Sequence, residues 1–109
     1  MIIVEKNVGE KIDYEIQNTA TKKKITFDDD LTINLAKREE DWPVHIDVCF
    51  DADRELVIGT AAGRAYVAQI DIPERQYTEE PDPEDPEQTI RTPVPLDLDT
   101  VTLSLWAID

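Results

Sequence analysis

Along most of this chain, apolar and polar residues alternate with a period of two. Ile12, Tyr14 and Ile16 alternate with Asp13, Glu15 and Gln17, and Leu31, Ile33 and Leu35 with Thr32 and Asn34. Val44, Ile46, Val48 and Phe50 alternate with His45, Asp47 and Cys49. Tyr66, Ala68, Ile70 and Ile72 enclose Val67, Gln69 and Asp71, and Val101, Leu103, Leu105 and Ala107 enclose Thr102, Ser104 and Trp106. This period marks strands with one buried and one wet face. Residues 2–7 and 56–58 add two more apolar runs.

Polar turns separate the runs. Val8-Gly9-Glu10 predicts a hairpin joining residues 2–7 to 11–17. Asp28-Asp29-Asp30, Asp51–Glu55 and Thr60–Arg64 mark further breaks. Helix is scarce: Leu35–Asp41 has helix-forming residues without a periodic apolar face, and Trp42-Pro43 ends it after one or two turns. The pattern predicts one all-β domain over residues 1–109, an antiparallel β-sandwich or barrel of seven to eight short strands.

Residues 73–95 break the pattern. They hold six of the seven prolines, and residues 79–87 carry Glu79, Glu80, Asp82, Glu84, Asp85 and Glu87 with no base. Proline removes amide donors and like charges repel, so this stretch is expected to be a long, mobile, acidic loop. The strand pattern resumes at 100–108, which makes 73–95 an excursion within the domain.

Charge sharpens this picture. The 109 residues carry 25 acids and 11 bases, a net charge of −14. Residues 1–72 contribute −6 and residues 73–109 contribute −8, so the excursion and its flanks form an acidic pole. Such a surface repels phosphate backbones and anionic membranes, which argues against direct nucleic-acid binding and membrane association. One cysteine forms no internal disulfide, and one cysteine with one histidine cannot complete the common zinc ligand sets. MIIVEKN lacks the pattern of a signal peptide, and no run approaches the ~20 apolar residues of a membrane span. A cytoplasmic protein is expected, or a virion-associated one if the origin is viral.

Little catalytic chemistry is legible. His45 and Cys49 share a strand face, yet four residues separate them by roughly 13 Å, too far for a nucleophile pair. His45 and Asp47 could reach a common metal only with ligands from other strands, and none is identifiable. Asp51-Ala52-Asp53-Arg54-Glu55 matches the start of a calcium loop, but Leu56 and Ala62 stand where that loop needs glycine and glutamate. Gly59–Arg64 has the wrong spacing for a phosphate loop, and Ser104, the only serine, lacks a nucleophile-elbow context. No enzyme activity, metal or cofactor is therefore expected.

Three functional readings follow. The first is a non-catalytic interaction or assembly module that engages a protein partner or a second copy through an edge strand. Trp42 and Trp106 are its candidate contacts, since tryptophan is enriched in interface hot spots, together with the acids of 79–87. Size and composition suit an accessory or structural protein of a phage or prophage. The second is an acidic decoy for a basic nucleic-acid-binding surface. In extended form residues 79–87 would span ~28 Å, along which one DNA strand presents about eight phosphates. The third is a weak divalent-cation-dependent binding domain using Asp28, Asp29, Asp30, Asp51, Asp53 or Glu55.

Overall fold

The computed structural model describes residues 1–108. Among these the period-two segments form β1 (Ile2–Glu5), β2 (Tyr14–Asn18), β3 (Lys23–Phe27), β4 (Leu31–Asn34) and β5 (Val44–Phe50). They continue with β6 (Leu56–Ile58), β7 (Ala65–Ile72), β8 (Tyr77–Pro81), β9 (Thr89–Pro93) and β10 (Thr102–Leu105). Among the described residues the only α-helical segment is the single turn α1 (Leu35–Arg38), and a 3-10 turn spans Leu98–Thr100. The fold is all-β, in three sheets with orders β1-β10-β7-β5-β6, β2-β3-β4 and β8-β9, and no barrel closes.

The two larger sheets share one core. Ile25, Phe27 and Ile33 from β3 and β4 lie in the same buried cluster as Ile46, Val48, Ile70, Ile72 and Leu103. Leu35 enters that cluster from α1. The turn starts because the Asn34 side chain accepts the Lys37 amide at 3.1 Å, a standard N-cap. It stops at Glu39, whose backbone is extended.

Several expectations change. Residues 2–7 and 11–17 do not form a hairpin: β1 pairs in parallel with β10, and β2 pairs with β3. The sheet is thus mixed rather than wholly antiparallel. β3 was hidden because Lys22-Lys23-Lys24 conceals the alternation of its buried Ile25 and Phe27. With β3, β8 and β9, the strands number ten rather than seven or eight.

The 73–95 excursion is not a plain loop. Its middle is a hairpin, paired in register from Tyr77↔Pro93 to Pro81↔Thr89. Prolines 81 and 93 sit at strand ends, where a missing amide costs the ladder nothing. Beyond it, Leu96 and Leu98 return to the core. The hairpin is an arm: the radius of gyration is 17.2 Å and the extents are 59 × 26 × 23 Å, against roughly 13 Å for a compact domain of this length.

One irregularity decides the faces of the large sheet. The β5–β7 register runs Val48↔Ala68 and then Cys49↔Tyr66, leaving Val67 as an extra residue. This bulge reverses the parity of β7, as bulges do. Tyr66, expected inward with Ala68, instead shares the outer face with Gln69 and Asp71. The bulge lies in β7, so β5 stays regular and His45, Asp47 and Cys49 keep one common face.

Cys49 on that face is nonetheless buried, because the 59–64 loop folds over it. A Cβ at Gly63 would meet Cys49 Cβ at 2.8 Å and Sγ at 2.9 Å, closer than side chains tolerate. Gly63→Ala is therefore expected to destabilise the protein by about 1–3 kcal/mol, as overpacking does. Denaturant titration checks this, and thiol labelling of Cys49 is expected to accelerate in the variant.

Candidate functional site

Register builds a polar chain on the outer face of the large sheet. His45 stands opposite Asp71, and Asp47 opposite Gln69. His45 Nδ1 lies 2.6 Å from Asp71 Oδ1, and Nε2 lies 2.8 Å from Asp47 Oδ1. Gln69 donates to Asp47 Oδ1 at 3.0 Å, and its own carbonyl accepts Trp106 Nε1 at 3.1 Å. Trp106 stacks on Tyr66 with ring centroids 5.6 Å apart. Asp71, His45, Asp47, Gln69, Trp106 and Tyr66 thus form one continuous row across β5, β7 and the end of β10.

Electrostatics follow from that row. The hydrogen bond accepted by Asp71 raises the His45 pKa above its usual 6.5; partial burial opposes this and Asp47 adds to it. The Gln69 hydrogen bond lowers the Asp47 pKa from its usual 3.8, with His45 assisting against partial burial. Burial pushes the Cys49 thiol up, and the Asp47 charge adds to that. An imidazole bonded to carboxylates through both nitrogens is biased toward its cation, and the contact acts as a clasp between β5 and β7.

The same geometry disfavours a metal here, because the carboxylates lie on opposite sides of the ring. Among the described residues no group of three or more His, Cys, Asp or Glu is arranged to hold a metal ion. Asp51 is occupied by its own turn, where one carboxylate oxygen accepts the amides of Asp53 at 2.8 Å and Glu55 at 2.9 Å. Asp28 and Asp29 both have φ of 51°, the left-handed pair that tight hairpin turns use. A groove of about 350 Å³ opens beside His45 and Asp71, which are bonded to each other.

A second polar cluster roots the arm. The Arg75 guanidinium lies 3.1 Å from Asp41 and donates to the Glu39 carbonyl at 2.8 Å, while its amide donates to the Glu40 carbonyl. Tyr77 donates its hydroxyl to Asp41. That bond, with Arg75, lowers the Asp41 pKa from its usual 3.8. Arg91 lies 4.1 Å over the Tyr77 ring and 3.6 Å from Glu79.

The structure separates the residues singled out from sequence. Trp42 is 61% exposed and follows Asp41 at the root of the arm. Trp106 is half-buried in the outer-face row. Glu79, Glu80, Asp82, Glu84, Asp85 and Glu87 lie along the arm, all exposed except the partly buried Asp82. Asp71, Gln69, Tyr66, Arg75 and Tyr77 were missed, because their roles depend on cross-strand partners that alternation does not name.

No family model, curated protein or solved structure matches this chain.

The clasp predicts a signed pH dependence. With its folded pKa raised, His45 stabilises fully below pH 6.5, and that contribution fades as pH rises through the folded pKa. Asp47, with its pKa lowered, stabilises above 3.8 and loses its contribution as pH falls through its folded value. The melting temperature of the wild type should therefore exceed that of His45→Gln most between these limits and converge with it in alkali. Proton NMR should place the His45 midpoint above 6.5, and Asp71→Asn should move it down.

Proposed function

We propose that this chain is a non-catalytic protein-interaction module that accepts a partner strand along β1. The two larger sheets, which share one core, are read as a sandwich whose working edge is that strand.

The observation that carries this reading is the open side of β1. The strand ends its sheet, with β10 on one side only. The Ile2 amide donates to the Val101 carbonyl and the Lys6 amide to that of Leu105, both at 2.8 Å. Alternation then turns the amides of Ile3 and Glu5 away from the sheet. The strand also exposes apolar surface, with Ile2 52% and Ile3 42% accessible. Unpaired ladder groups beside exposed isoleucines form a template for strand addition.

The candidate chemistry elsewhere supports a binding role. His45 spends both nitrogens on carboxylates, Cys49 is covered with a raised pKa, and Ser104 is buried. The acidic surface favours a protein partner over nucleic acid. A cytoplasmic or virion setting, and a phage-type accessory role, fit this reading.

Ile3→Pro is the test. Proline at an outward-facing amide of an edge strand leaves the fold's own ladder intact while removing a donor that an incoming strand needs. The variant is expected to melt close to the wild type and to lose the partners that the wild type captures from native lysate. Identical captured sets for the two proteins, at equal stability, would overturn the reading.

A further inference from the structure

The five-stranded sheet is open at both ends, with β1 at one and β6 at the other. The two edges are alike. The Asp51 amide donates to the Glu55 carbonyl at 2.9 Å, and the Gly59 amide to that of Asp47 at 2.7 Å. Glu55 and Gly59 therefore face β5, and alternation turns the amides and carbonyls of Leu56 and Ile58 outward, as it does those of Ile3 and Glu5 on β1. Among the described residues no backbone bond outside the sheet ladders reaches these four. Ile58 is 40% accessible, against 42% for Ile3.

Direction and face also agree. β1 runs parallel to β10, while β10 to β7, β7 to β5 and β5 to β6 are each antiparallel. β6 therefore runs antiparallel to β1. A second copy set beyond β1 in the same orientation brings its β6 alongside in an antiparallel sense, with both cores on one side of the joined sheet. Opposed residues of an antiparallel pair must share a face. Ile3 stands opposite Leu103 and Ile58 opposite Val48, both core residues, so the outward-bonding residues of the two edges meet that condition.

One register uses both outward residues of each strand, with Ile3 opposite Ile58 and Glu5 opposite Leu56. It sets Val4 against Val57 on the other face, and Lys6 against Glu55. Lys6 and Glu55 are exposed, and neither makes an ion pair among the described residues. Within residues 2–6 and 54–58 acid and base balance, so the excess negative charge lies off the contact.

We infer that the partner strand of β1 is β6 of a second copy of this chain. The inference rests on the reading of β1 as a strand-accepting edge and names its occupant. A different edge faces each way, so the contact is heterologous, and copies add head to tail into rings or fibres rather than stopping at a two-fold dimer.

Blocking one edge at a time tests this. Ile3→Pro closes the β1 edge and Ile58→Pro the β6 edge. Both amides point away from the sheet, so both variants are expected to melt close to the wild type. In sedimentation the wild type should form species larger than a dimer that grow with concentration. Each variant alone should be monomeric, and an equal mixture should give dimers and nothing longer, since each supplies the edge the other lacks. Without any proline, Lys6→Glu and Glu55→Lys should each weaken assembly several-fold, and the two together in one chain should restore it. A monomeric wild type, a mixture that stays monomeric, or a double charge variant no better than the singles would each overturn the inference. So would Ile58→Pro assembling like the wild type, which would place β1 against another β1. A monomeric wild type whose lysate partners are still lost on Ile3→Pro would overturn only this inference and leave the reading of β1 standing.

Discussion

Val67 occupies an extra place in the β5–β7 ladder, and both faces of the large sheet depend on that insertion. Before the bulge, β5 and β7 align Ile46 with Ile70 on the core side and His45 with Asp71 on the outer side. After it, Tyr66 turns outward opposite Cys49, and Val67 is itself fully buried. The Val67 carbonyl then accepts the Trp106 amide at 3.0 Å, which extends the last strand past Leu105. Without the insertion, Tyr66 would face the core and Trp106 would lose its stacking partner. A one-residue change of register in a half-buried sheet moves every side chain to the other face. The aromatic pair therefore depends on the bulge, while the clasp lies on the regular side of it.

The outer face carries a polar row whose members bond to one another. Each group in it is already paired: His45 with two carboxylates, Asp47 with Gln69 as well, and Gln69 with Trp106. No buried side-chain polar atom among the described residues lacks a partner. These hydrogen bonds all close within the row itself. What it does is join three neighbouring elements, β5, β7 and the end of β10, by side chains as well as by the backbone ladder.

Alternation made the strong elements legible. β5, β7 and β10 read directly from Ile46, Val48, Ile70, Leu103 and their neighbours, because burial on one face writes itself as a period of two. Pairing was not legible. Nothing within Ile2–Glu5 says that its neighbour is β10, nearly a hundred residues away, and Val8-Gly9-Glu10 offers a local hairpin that the fold declines. The arm was hidden for a different reason. Its strands Tyr77–Pro81 and Thr89–Pro93 bury almost nothing, so they leave no apolar period to read. Likewise, the solvent-facing role of His45 followed from alternation, but its clasp needed Asp71, 26 positions on.

Charge and edges act at different ranges, and that difference orders the molecule's encounters. At ~0.15 M ionic strength the Debye length is ~8 Å, far shorter than the long axis. The net charge of −14 therefore repels a like body only on close approach, where local complementarity can outweigh it. The edge of β1 is such a place, with Ile2 and Ile3 exposed beside unpaired amides. Strand addition there would be short-ranged, since it rests on backbone hydrogen bonds and apolar contact. Salt would therefore favour a partner strand at this edge, by relieving the repulsion between an acidic chain and another acidic body.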